Sequence, residues 1–160
     1  MQHNEMQHSP EDNGKRYQRL VAMTLLSFIS MYILMYAMVN ELANVYPNFN
    51  QFYMAGLMTA PMVVIELALM GAMYKNTKLN ALLMAIAAIG GIAFFMLIRQ
   101  QTAISDEQFL KSMIPHHAGA ILMCQQASLQ GAEVKELCKG IMSGQASEII
   151  RMKALLSKRR

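Results

Sequence analysis

Charged side chains are scarce in this 160-residue chain. They make up 15% of it, and hydrophobic residues 54%, whereas soluble domains carry about 25% charge. That deficit excludes an ordinary water-soluble domain and points to a membrane. The net charge of +4 is modest, and no basic run is interleaved with aromatic residues, so nucleic acid is excluded as a partner. Glu-x-x-His occurs once, as Glu5 to His8 in the polar N-terminal tail, whereas a di-iron carboxylate centre takes such a set from each of two helices. No nucleophile–base pair stands out beyond Cys–His, and no enzymatic activity is expected. Tryptophan is absent, cysteines number two and histidines four, yet there are 17 methionines. Methionine is usually a pliable apolar filler; this many invites a second use.

Long apolar runs are what the chain does have. Leu20 to Val39 and Leu79 to Ile98 contain no charge, and Phe52 to Tyr74 contains one, Glu66. A hydrocarbon core of about 30 Å takes about 20 helical residues to cross, so three transmembrane helices are expected over residues 17–101. The first run is too long for a cleaved signal peptide, and no small-residue cleavage site follows it. Lys15, Arg16 and Arg19 precede the first run, Asn40 to Gln51 holds no Lys or Arg, and Lys75 and Lys78 follow the second run. Basic residues stay inside, which predicts a bacterial inner-membrane protein with a cytoplasmic N-terminus and a periplasmic C-terminal region. Arg99, at the outer end of the third run, departs from that pattern.

Methionines recur at helical spacing within these runs: Met31, Met35 and Met38 in the first, and Met54, Met58, Met62 and Met73 in the second, with Glu66 one turn beyond Met62. The plain interpretation is packing against helices and lipid. The sharper one is a membrane pathway for a soft ion through Met58, Met62 and Glu66, since an ionisable residue at depth marks function. Pro61 would loosen the helix nearby.

From residue 102 to 160 the composition changes. Ser105 and Gln108 read as a capping box, starting a helix at Asp106. Pro115 is expected to kink the chain or to begin a fresh helix that runs to about Gln130. Gly131 is expected as its left-handed cap. A last helix follows from Ala132 to about Ser157, with an apolar stripe of Val134, Leu137, Cys138, Ile141, Met142, Ile149, Met152 and Leu156. Two helices joined by a tight turn run antiparallel. Centring the turn on Gly131 sets Cys124 opposite Cys138, His117 opposite Gln145, Ala120 opposite Met142, and Met113 beside Glu148.

Met113, His116, His117, Met123, Cys124, Cys138, Met142 and Met152 are thus the candidate metal ligands, with Gln145 and Glu148 behind them. Imidazole suits copper, zinc and iron, whereas thioether and thiolate select soft ions. The set therefore favours Cu(I), with silver admitted by the same softness. The alternative is that the histidines are satisfied core residues and the methionines filler. The cysteines carry two readings: thiolate ligands, or a disulfide of the kind an oxidising compartment allows.

These residues also carry a resemblance. DEQFLKSMIPHHAGAILMCQQA and GIMSGQASEIIRM are similar to the bacterial ferritin-like copper-binding domain family of formerly unknown function, the CopM-like family. The matching positions are Phe109, Met113, Pro115, His116, His117, Met123, Gln145, Glu148 and Met152. The resemblance implies copper binding through His and Met side chains and a role in copper tolerance. Unlike the soluble, often signal-bearing members, this chain joins the domain to three membrane helices. Two helices make half of a ferritin-like bundle, so a homodimer is expected to complete it.

Residues 1–16 are polar, repeat Met-Gln-His twice, and are expected to be a disordered Met/His tail. The function expected is a membrane-anchored copper sink or chaperone. A three-helix copper permease is the first alternative, suggested by Met58-x-x-x-Met62; against it, the third run offers only Ala87 and Gly91 as a small-xxx-small pair. A membrane assembly factor that binds no metal is the other.

Overall fold

The computed structural model describes residues 10–159, and among them every regular element is helical. The fold is all-α. Five helices follow one another: α1 Pro10–Leu34, α2 Phe49–Leu69, α3 Thr77–Gln100, α4 Asp106–Gln126 and α5 Ala132–Ser157. Short 3-10 turns, Met35–Met38, Leu42–Asn44 and Gly71–Met73, link the first three. Three segments, Gly14–Met38, Phe49–Leu69 and Thr77–Gln100, are long and apolar enough to cross a membrane. The helix α1 starts at Pro10, so residues 10–16 are helical and not part of a disordered tail. Both Met-Gln-His units lie outside the described residues.

The chain divides into two compact units. The first holds the chain to Met31 together with Met54–Arg99. Leu20 from α1, Leu67 from α2 and Tyr74 form its buried cluster, with Leu83 and Met84 of α3 packed on it. Polar groups close that end. Tyr17 Oη donates to Asn80 Oδ1 at 2.7 Å, and Asn80 Nδ2 donates to the Tyr74 carbonyl at 2.8 Å. Glu66 stands one turn from the end of α2, and Tyr74 Oη donates to it at 3.5 Å. Burial, and then the Glu66 carboxylate, raise the Tyr74 hydroxyl above the usual tyrosine range.

The helix α2 turns Tyr53, Ala55, Thr59 and Leu67 inward. A side chain at Gly56 would run into the Phe94 ring of α3, and one at Gly91 would meet Ala60 Cβ at 3.1 Å. Small residues let these helix backbones approach. Gly56→Leu should therefore cost about 1–3 kcal/mol by overpacking, read as a lower midpoint of thermal unfolding in detergent, while Gly71→Ala, with nothing within 4 Å, should not.

The second unit is built from Tyr32–Tyr53 and the chain from Gln100 onward. Its centre is the antiparallel pair α4–α5. Ser105 caps α4, accepting from the Gln108 amide at 3.4 Å, with Asp106 and Glu107 in the first turn where the helix dipole favours acids. The helix continues through Pro115 to Gln126 as one element and stops four residues earlier than the pattern suggests. Residues 127–131 make the turn. Gly131 has φ −68° and ψ 130°, so it is the extended N-cap of α5 and not a left-handed cap.

Leu110, Ile114, Ala118, Ile121, Ile149 and Met152 are the core, with Val39, Tyr46, Met113 and Leu156 packed against it. The segment before α2 is thus a cover for the hairpin. Tyr36 Oη holds the Tyr46 carbonyl at 2.8 Å, the Phe49 amide donates to Gln108 Oε1 at 3.1 Å, and Asn50 Nδ2 donates to Ser112 Oγ at 3.2 Å. Gly119 leaves room for the Met38 carbonyl, which a Cβ would approach to 3.3 Å.

Candidate metal centre

The seam between α4 and α5 holds the polar groups of interest. His117 is buried on α4. Its Nδ1 lies 2.9 Å from the Met113 carbonyl, one turn back, and its Nε2 lies 2.7 Å from Glu148 Oε2 on α5. A carbonyl can only accept, so Nδ1 carries a proton. That bond fixes the tautomer and the ring plane, the same second contact that orients histidines at metal centres. Nε2 is left directed across the seam at a carboxylate that is itself exposed.

Met113 and Met152 stand one helical turn from His117 on α4 and from Glu148 on α5. Met152 is buried in the core cluster and Met113 packs against the same cluster. Gln145 adds an orphan: its Oε1 is buried and has no hydrogen-bond partner. Counting back from the Cys124–Cys138 pair places Gln145 level with His117. A buried acceptor without a donor is costly, and a cation is one way to satisfy it.

The remaining candidates lie elsewhere. His116 is exposed, its ring centroid 6.1 Å from that of His117 at 67°. Met123 is exposed on the same side of α4 as His116, and Met142 is half-buried. The adjacent histidines therefore do not share one pocket, because neighbours on a helix point about 100° apart. Cys124 and Cys138 are joined in a disulfide, with Cα atoms 5.5 Å apart. They are not thiolates in this state, and no free cysteine remains. Val134 and Leu137, expected in the apolar stripe, are exposed.

No group of three or more His, Cys, Asp and Glu side chains converges among the described residues. The seam offers one imidazole, one carboxylate, one amide and thioethers. In the first unit Met58 is exposed, Met62 is half-buried, and Glu66 accepts from the Tyr74 hydroxyl. Thr59, on the inner face of α2, contacts Met31 Sδ at 3.6 Å.

Comparison with known proteins gives a family. The model described as "Domain of unknown function (DUF305)" matches residues 41–156. An uncharacterized protein, L153 of Acanthamoeba polyphaga mimivirus, is 32% identical over 144 residues, which cover 88% of this chain and 93% of the viral protein. No solved structure matches.

Proposed function

This chain belongs to the DUF305 family, whose function is unknown, and we propose that it is a membrane-anchored binder of cuprous ion, a sink or chaperone in copper tolerance. The observation that carries this is His117, pinned through Nδ1 to the Met113 carbonyl so that Nε2 points across the seam at Glu148. Met113 and Met152, one turn from His117 and from Glu148 and both part of the seam's apolar cluster, would supply soft sulfur, and the Gln145 Oε1 orphan an oxygen. Thioether with imidazole suits Cu(I), and silver by the same preference. The CopM-like resemblance of Met113, Pro115, His116, His117, Met123, Gln145, Glu148 and Met152 supports the same ion. No catalytic step is involved.

An ion bound at Nε2 would displace its contact with Glu148 Oε2, leaving Glu148 behind the ligands. Affinity then falls as the solution is acidified, because protons compete for the same nitrogen. The disulfide fits an oxidising compartment, and the placement of Lys15, Arg16, Arg19, Lys75 and Lys78 favours a cytoplasmic N-terminus. Together they support a periplasmic hairpin on a bacterial inner membrane.

The test is a Cu(I) titration of the full chain in detergent against a chromophoric chelator, with the disulfide intact. His117→Ala should weaken binding at least 100-fold, and Met113→Leu with Met152→Leu about tenfold or more; outer-shell partners such as Glu148 are worth about 10–100-fold. Wild-type protein that takes no Cu(I) from the chelator, or an unchanged affinity in His117→Ala, would refute the proposal.

A further inference from the structure

We propose that the hairpin pairs with a second copy of this chain through its open face, about a two-fold axis that crosses α4 at Ala120 and α5 between Gly140 and Gly144. The pairing stands apart from the metal reading and would hold without copper.

The open face has two strips. On α4, Phe109, Met113, His116, Ala120 and Met123 recur at intervals of four and three, one stripe of a helix. Phe109 is 49% exposed and Met123 54%. On α5, Val134, Leu137 and Leu155 are 48%, 63% and 42% exposed. The segment that carries Met38, Val39 and Tyr46 covers the hairpin along Gly119, Ala118 and the core, and leaves these strips bare. In an antiparallel pair, the side of α4 at His116 and the side of α5 at Leu137 face the same way.

The strip on α5 is self-complementary. The disulfide sets Cys124 against Cys138, and counting from it places Ala120 level with Met142. Rotation about an axis at that level, perpendicular to the helices, lays α5 antiparallel on its copy. Gly140 then meets the partner's Gly144, and neither has an atom within 4 Å of where a Cβ would stand. Nine residues out on either side, Glu133 meets the partner's Arg151 and Arg151 the partner's Glu133. Glu136 lies on the outer edge, held by Lys139 at 3.2 Å.

The same axis crosses α4 at Ala120, a small residue where two helices must come close. It brings His116 to within about one residue's rise of the partner's Met123, roughly 1.5 Å along the axis. Two exposed soft donors, apart within one chain, are thus paired between chains. A hairpin about 30 Å long and two helices wide presents roughly 600 Å² in projection, near the ~800 Å² per partner of a standard interface. Glu133 and Arg151, matched twice across that area by the two-fold axis, favour a second copy over lipid, which would meet neither charge.

The test uses the full chain in detergent. A photo-cross-linking phenylalanine analogue at position 120 should give covalent dimer on illumination, and the same analogue at position 146, on the other side of α5, should not. Glu133→Arg and Arg151→Glu should each lower the dimer fraction about tenfold in sedimentation, and the two together should restore it. Both residues are exposed, and circular dichroism checks that the variants keep their helices. Three results would overturn the proposal: monomer throughout, a dimer that the swap does not restore, or cross-links from position 120 that go to lipid or detergent.

Discussion

Breaking the Cys124–Cys138 bridge is expected to destabilise the second unit by about 3 kcal/mol, the entropy of a closed loop of roughly 15 residues. The loop is the turn of the hairpin, with a sequence separation of 14. Next to the turn, Val134 and Leu137 are exposed, so the Cys124–Cys138 bridge is the tie between α4 and α5 at that end. Without the bridge the first turns of α5 and the last of α4 should fray, while Ile114 and Ile149 hold the far end. Urea unfolding of the full chain, with and without a dithiol reductant, reads the global loss; hydrogen exchange should place the fraying at residues 121–140. Reduction also adds two thiols to the donor inventory, so Cu(I) capacity should rise even as stability falls. An unchanged midpoint on reduction would show that core packing alone holds the hairpin.

The second large effect is expected from Ile114→Ala. Ile114 has 0% exposure and is the largest fully buried side chain among the described residues. Its surroundings come from three directions: Leu110 and Ala118 on its own helix, Ile149 and Met152 on α5, and Val39 and Tyr46 from the cover. A site walled by separate elements collapses poorly, so the loss should be about 3–5 kcal/mol, and Ile114→Val should cost only about 1 kcal/mol. His117 lies one turn along, and its ring is oriented by the Met113 carbonyl one residue before Ile114. Ile114→Ala should therefore also weaken Cu(I) binding several-fold without touching a donor, which calorimetry at a temperature where the variant stays folded will show.

The three long apolar helices are legible because length and lack of charge decide them. The α4–α5 register was legible because an antiparallel pair with a short turn has one free parameter, and the Cys124–Cys138 bridge matches it. The details of the turn were not. The spacing suggests Gly131 as a left-handed cap, yet it starts α5 in an extended conformation and α4 ends at Gln126, before it. Pro115 invited a break, but the Ser105 cap and burial of Ile114 and Ala118 carry the helix past it. Which of two adjacent histidines faces the seam followed from the register; the bond from His117 to the Met113 carbonyl and the reach to Glu148 did not. The cover was invisible, since Val39, Tyr46, Asn48 and Asn50 show no periodicity and take their places through hydrogen bonds distant in sequence. Glu66 lies within the apolar segment Phe49–Leu69, three residues from its end, and its contact with the Tyr74 hydroxyl could not be read from spacing. The cysteines stayed undecided because spacing is compatible with a disulfide and with thiolate ligands.

The most direct measurement is X-ray absorption at the copper edge on the Cu(I)-loaded full chain, with the disulfide intact. A first shell that mixes one imidazole nitrogen with thioether sulfur is expected, the nitrogen lost in His117→Ala and the sulfur reduced in Met113→Leu with Met152→Leu. A shell of oxygen and nitrogen alone, or a mixed shell that survives all three changes, would mean that the ion, if held at all, is held somewhere other than the α4–α5 seam.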